Sequence, residues 1–314
     1  MAAKIAIIGA GQVGAAAANA LLRGSLYGEL ILVDKKLDLR EGQVRDLSDV
    51  SFCENTSTRI RSGTYKEAGQ CDIVVVTAGS RRTIGETKIQ SIERNSAVLR
   101  SIIKSMKPFR KDTILLIVSN PVDALTTLAQ ELSGLPRSQV MGSGTSLDSV
   151  RLRRVLASKL DISSNHINAY VLGEHGDSQF VAWSCASIAG VPIDKAISPD
   201  TLNRAHLAEE CKHEAQHIIK AKGSIAFGIG SIVAAICSSI LFDKRDVRPV
   251  SHFQPDLGCC LSLPVVLGRK GIVHTVHLPL TTGEKAKLQE SGNAIKEIVE
   301  DLTEEDKVSG MAAI

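Results

Sequence analysis

The sequence predicts an α/β protein, with a doubly wound parallel sheet in its first half and an α+β second part. Three observations predict it. Short apolar runs that read as buried strands alternate with helix-period segments through the first 160 residues. A glycine-rich turn, Gly9-Ala10-Gly11-Gln12-Val13-Gly14, joins the first strand to the first helix. Beyond residue 161 the alternation gives way to paired strand-like runs, GCCLSLPVVLG and KGIVHTVHLPL, set among longer helices.

The elements follow in order. KIAIIGA (4–10) is a buried strand, and QVGAAAANALLRG is the helix after it. ELILVD (29–34) is a second strand, and DLREGQVRDLSDV (38–50) an amphipathic helix. DIVVVTAG (72–79) is a third strong strand. Helical spacing runs through 87–107 and stops at Pro108. DTILLIVSNP (112–121) is another strand, and PVDALTTLAQELSGL is a helix with Pro121 in its first turn. LDSVRLRRVLASKL (147–160) is again helical. Strands alternating with helices form βαβ units, whose parallel sheet is covered on both faces. In the second half, INAYVLGEHGDSQFVAW and the two later runs indicate antiparallel strands, surrounded by helices at 199–221, 223–242 and 283–301. The expected division is residues 1–143 and 144–314. No low-complexity linker separates the two parts, so they are expected to pack closely around a shared site.

Composition narrows the function. The formal charge is +3 over 314 residues and only 3% are aromatic, which argues against a nucleic-acid partner. Seven scattered cysteines without a CxxC spacing fit a reduced, cytoplasmic setting. Met1 leads straight into a strand, so no signal peptide is expected. Gly223 to Phe242 carries no charge over 20 residues, enough to span a membrane. Its three glycines and four serines, and the lack of aromatic flanks, favour a buried core helix instead. His213-Glu214-Ala215-Gln216-His217 matches the HExxH zinc pattern. It lies on a polar helix with no evident third ligand, so a solvated face and no metal are expected.

The glycine turn has the context that gives GxGxxG meaning. It follows a strand, opens a helix, and precedes a second strand that ends in Asp34, 20 residues after Gly14. Gly9 permits the tight turn, Gly11 lets a pyrophosphate approach the backbone, and Gly14 lets helix and strand pack closely. The helix N-terminus offers N–H groups and a positive dipole end to the phosphates. Asp34 stands where a carboxylate accepts the adenine ribose hydroxyls and repels the extra phosphate of NADP. Lys35 and Lys36 soften that repulsion. The expectation is a Rossmann-type domain that binds NAD.

Two further segments carry chemistry. LGEHGDSQ places His175 among glycines, acids and a serine, and an imidazole there can move a proton near neutral pH. LDSVRLR places Asp148 and Arg151 three apart on one helix face. At these residues the chain resembles the L-lactate dehydrogenase/malate dehydrogenase family of NAD-dependent 2-hydroxyacid dehydrogenases. The resemblance spans essentially the whole chain, through IIGAGQVG, LVD, VVVTAG, SNPVDALT, GSGTSLDSVRLR and VLGEHGDS. It implies that His175 exchanges the hydroxyl proton as hydride moves between substrate carbon and NAD. Asp148 then orients His175, and Arg151 clamps the substrate carboxylate as a bidentate fork. Asn120 contacts both cofactor and substrate. Gln12, Val13, Tyr65, Gly79 and Ser143 line the NAD site.

The segment TAGSRRTIGETK (77–88) matches the family's mobile active-site loop and departs from it in chemistry. It sets Arg82 at the substrate-specificity position, where lactate enzymes carry glutamine and malate enzymes arginine. It sets Lys88 where the family has a carbonyl-polarising arginine, which keeps the charge and loses the fork. Ile225 replaces a pocket threonine. Arg153 matches the arginine of the bacterial sugar-bisphosphate site, but Asn168 stands in place of its histidine. The resemblance ranks lactate and pyruvate first as substrates. Arg82 keeps oxaloacetate or another dicarboxylate as an alternative, and Lys88 with Ile225 keep a second one, an NAD-binding protein with lost catalysis. A homo-oligomer, dimer or tetramer, is implied.

Overall fold

A computed structural model describes residues 3–24, 28–54, 56–80, 85 and 87–311. Its strands are β1 (Ala3–Ile8), β2 (Gly28–Val33), β3 (Arg59–Ser62), β4 (Ile73–Val76), β5 (Ile114–Ile117) and β6 (Val140–Gly142) in the first half. The helices between them are α1 (Gln12–Arg23), α2 (Leu37–Cys53), α3 (Tyr65–Ala68), α4 (Lys88–Met106) and α5 (Val122–Ser133). These six strands are all parallel, in the order β3-β2-β1-β4-β5-β6. That is the dinucleotide-binding order, with its reversal between β1 and β4. The inner strands are buried on both faces, as IAII, IVVV and ILLI require.

The second half starts with α6 (Ser146–Leu160). Five two-residue strands follow: β7 (Ile167–Asn168), β8 (Val171–Leu172), β9 (Phe180–Val181), β10 (Ser187–Ile188) and β11 (Val191–Pro192). Then come α7 (Ile193–Ala196), α8 (Arg204–Lys222), α9 (Ala226–Leu241), β12 (Val247–Gln254), β13 (Cys259–Gly268), β14 (Gly271–Thr275) and α10 (Thr282–Met311). Strands β12 to β14 are antiparallel, as the two late apolar runs indicate. They do not form a separate sheet. β12 joins the edge of β6 at Ser251 and Gly142, so one nine-stranded sheet crosses both halves. Helix α8 begins at Arg204 and not at 199, because Asn203 supplies the N-cap to His206 N–H.

The uncharged segment is α9, packed in the core with α1 and β13 through Ile232, Val233, Ile236 and Ile240. Gly230 lets it approach α1 so closely that a Cβ there would sit 2.7 Å from the Ala16 carbonyl carbon. Among the described residues no helix is long and apolar enough to cross a membrane.

Candidate active site

Three elements from distant parts of the chain meet at His175. After β8 the chain turns through Gly173 (φ 86°), which pairs with Ser262 of β13 and delivers Glu174 and His175. Helix α6 is fixed beside them. Its N-cap Thr145 donates from Oγ1 to the Val171 carbonyl and from its own N–H to the Ser262 hydroxyl oxygen. Ser262 also explains Gly144, since a Cβ there would lie 2.2 Å from the Ser262 Oγ. Helix α5 closes the third side, where Asp123 Oδ2 accepts the His175 backbone N–H at 2.7 Å.

This arrangement joins Asp148, Arg151 and His175. Asp148 is 2% exposed. Its Oδ2 lies 2.7 Å from His175 Nδ1, and its Oδ1 accepts from Arg151 Nη1 at 3.1 Å. Burial alone would raise the Asp148 carboxyl, but the charges of His175 and Arg151 and the histidine hydrogen bond outweigh it and hold it below its ordinary value. An ionised carboxylate only accepts, so His175 Nδ1 donates and Nε2 is the atom left for a substrate. Burial pulls the imidazole down, yet the Asp148 charge and hydrogen bond, helped by Asp123, raise it to about 9. The side chain remains about one-fifth exposed, so Nε2 is reachable. Apart from the bond to Asp148, the Arg151 guanidinium has no hydrogen-bond partner among the described residues. Its remaining N–H groups suit a planar anion.

A cleft of ≈ 440 Å³ opens at the C-terminal ends of β1, β2 and β4 and is lined by Gly9, Gly11, Asp34, Tyr65 and Gly79, with Lys35 and Lys36 at its rim. The glycines fit a dinucleotide for separate reasons. Gly9 has φ 104°, and a Cβ on it would meet Ala78 N at 2.7 Å. A Cβ on Gly14 would overlap the Gly9 carbonyl at 1.9 Å. A Cβ on Gly11 would meet nothing within 4 Å. The open space at Gly11, the N-cap of α1, is therefore available to a phosphate. Asp34 is held by the N–H groups of Ala10 (2.7 Å) and Lys36 (2.8 Å), one on each oxygen. Each oxygen keeps a lone pair for a ribose hydroxyl. These residues fit NAD.

The other expected site residues are placed as follows. Gln12 and Val13 begin α1. Ser143 is buried just after β6, its N–H bonded to Ile117 O. Asn120 follows β5, and its carbonyl accepts from Asn95 Nδ2. Ile225 is the N-cap of α9, packed against the core around Leu147. Arg82 lies outside the described residues, and so does the side chain of Lys88, whose backbone opens α4 after a Thr87–Gln90 capping box. His213 of α8 pairs with Glu209, and among the described residues no cluster is suited to a metal ion. Two residues with a part in the site carried no local signal. Asn95 of α4 bonds the Ser80 N–H and the Asn120 carbonyl, so it ties the ends of β4 and β5 together. Asp123 lies 52 residues from the histidine it holds, within the SNPVD motif.

Fold and site together define an oxidoreductase whose first half is a dinucleotide-binding domain and whose second half supplies a buried acid–imidazole pair. The chain belongs to the lactate/malate dehydrogenase family. Residues 3–142 match its NAD-binding domain, and residues 145–306 match its α/β C-terminal domain. The chain is 43% identical over 295 residues to L-lactate dehydrogenase A of Rhizopus oryzae, covering 94% of this chain and 92% of that protein. It is 39% identical over 307 residues to an L-lactate dehydrogenase of Synechococcus sp., covering 95% and 99%. A lactate dehydrogenase from a deep-sea metagenome library has the same fold with a TM-score of 0.91 at 33% identity, over 96% of this chain and 99% of that one.

Proposed function

We propose that the protein is an NAD-dependent L-lactate dehydrogenase, interconverting lactate and pyruvate. The observation that carries the chemistry is the 2.7 Å bond between buried Asp148 and His175 Nδ1, which leaves Nε2 to exchange a proton with substrate. In reduction, the imidazolium form donates from Nε2 to the ketone oxygen. In oxidation, the neutral ring takes the hydroxyl proton from lactate. Asp148 fixes the tautomer and stabilises the charged ring. Arg151 binds the substrate carboxylate through the guanidinium edge that Asp148 leaves open. By the family resemblance, the charge of Lys88 is assigned to polarising the reacting carbonyl, Arg82 to reading the group at the far end of the substrate, and Ile225 to a dry wall of the pocket. NAD supplies the hydride acceptor. Gly9, Gly11, Gln12, Val13, Gly14, Asp34, Tyr65, Gly79, Asn120 and Ser143 form its site.

The same reading makes residues 1–143 the cofactor domain and residues 144–314 the substrate domain, in a cytoplasmic homo-oligomer, dimer or tetramer. Seven unpaired cysteines support the reducing location, and the names of the relatives support lactate over malate. The test is kinetic. NADH-dependent reduction of pyruvate is compared with that of oxaloacetate, in the wild type and in Arg82→Gln. Pyruvate should be the better substrate, and Arg82→Gln should widen its lead. A preference for oxaloacetate by orders of magnitude, reversed by Arg82→Gln, makes the enzyme a malate dehydrogenase instead.

A further inference from the structure

The hairpin that presents His175 owes little of its shape to its own backbone. β8 and β9 pair at Leu172–Phe180 and Val171–Val181, which leaves residues 173–179 as the connection. That is far longer than a tight hairpin turn. The backbone bond inside it, from Gln179 N–H to the Gly176 carbonyl, is long at 3.4 Å. Such a loop depends on side chains to satisfy and fix it.

One face of α10 supplies them. Glu284, Leu288 and Ser291 stand about one turn apart along it. Glu284 accepts the Ser184 N–H at 3.1 Å and the Ser184 hydroxyl at 2.5 Å, just beyond β9. Leu288 packs against Leu172, Phe180 and Ala182. Ser291 is fully buried and meets both ends of the loop. Its Oγ donates to Ser178, with the carbonyl at 2.9 Å and the hydroxyl oxygen at 3.0 Å. A Cβ on Gly173 would lie 2.5 Å from the same Oγ. Ser178 gives its own proton to Glu174 Oε2 at 2.5 Å, so its Oγ is left as an acceptor toward α10. Glu174 is 8% exposed and folds across the inside of the loop, where a Cβ on Gly176 would sit 2.6 Å from its Oε1. His175 stands within the ring that Glu174 and Ser178 close.

We propose that Ser291 is a positioning residue for His175, acting through Ser178 and Glu174. This rests on the dehydrogenase reading above. Helices α5 and α6 hold the backbone N–H and the ring Nδ1 of the histidine. α10 holds the limb of the loop that follows it. Together the three supports set where Nε2 stands against the substrate. Misplacing a reacting group by about 1 Å can cost about a hundredfold in rate, and loss of one support of three costs part of that.

Ser291→Ala is the test, since it removes the donor without adding bulk. kcat for pyruvate reduction should fall about tenfold. The Kd for NADH should stay unchanged and KM for pyruvate should move less than about threefold, because Arg151 and the cofactor cleft are built from other elements. Ser178→Ala breaks the run from its half-buried end and should give the same signature. Ile295→Val is the control for a loosened helix. Ile295 lies one turn further along α10 and packs with Leu257, Cys259 and Leu261. It should lower the melting temperature about as much as Ser291→Ala and leave kcat within about twofold. An unchanged kcat in Ser291→Ala, or an equal loss in Ile295→Val, overturns the proposal. Labelling with diethyl pyrocarbonate, read at His175 by peptide mass spectrometry, needs no turnover. In Ser291→Ala the freed loop should be labelled at His175 at least about threefold faster, with the exposed His206 unchanged. Failure of both proteins to reduce pyruvate would count against the dehydrogenase reading and leave this readout standing. Equal labelling of His175 in the two proteins overturns the proposal.

Discussion

Replacing Asp148 by asparagine should uncouple the histidine from its charge. The imidazole stands at about 9 where the ordinary value is 6.5, a difference of about 3 kcal/mol in favour of the imidazolium. Burial works against that shift, so the favourable part comes from the neighbouring carboxylates, with Asp148 first. Without its charge, burial remains, and His175 should fall to 6.5 or below. At about pH 7.5 the imidazolium fraction then drops from about 97% to about one in ten, which alone lowers kcat/KM for pyruvate reduction roughly tenfold. An amide can also offer an N–H to Nδ1 and hold the opposite tautomer, which lowers kcat further. The assay is initial-rate NADH consumption with pyruvate across pH, with circular dichroism as a check on folding. That check matters because the change also removes the ion-pair partner of Arg151, whose side chain is only 7% exposed. Breaking a buried pair costs about 3–5 kcal/mol. An alkaline limb that stays near 9 in Asp148→Asn would show that the carboxylate does not set the charge of His175.

The glycines give contrasting outcomes. Gly11→Ala should fold normally, since its Cβ meets nothing within 4 Å, yet weaken NADH binding at least about tenfold, as fluorescence titration would measure. Gly14→Ala should lose thermal stability first, because its Cβ would overlap the Gly9 carbonyl at 1.9 Å. Gly230→Ala should push α9 off α1 and cost about 1–3 kcal/mol in denaturant unfolding without changing the pH profile of turnover.

How much of this was legible depended on whether the signal was local. β1, β4 and β5 are apolar on both faces, so IAII, IVVV and ILLI announce buried parallel strands. β3 (RIRS) is a half-exposed edge strand with two arginines and resembles a loop. β6 is only three residues long, and β12 (VRPVSHFQ) mixes proline, serine and histidine because much of its pairing depends on its neighbours. The continuous sheet was hidden for the same reason, since it hangs on the bridge between Gly142 and Ser251. In the site, Asp148 and Arg151 are one helical turn apart and readable. His175 stands out in its glycine-flanked loop. The contacts that make them work are not local: Asp148 reaches His175 across 27 residues, and Asp123 across 52. Asp123 was visible only as a letter in SNPVD, and Asn95 as one more polar residue on α4.

The most direct measurement is NADH-dependent reduction of pyruvate by the purified protein, beside His175→Ala. The wild type should turn over pyruvate more efficiently than oxaloacetate, and the variant should bind NADH with no measurable turnover. NADH binding without turnover of any 2-oxo acid by the wild type, or undiminished turnover by His175→Ala, would contradict the assignment.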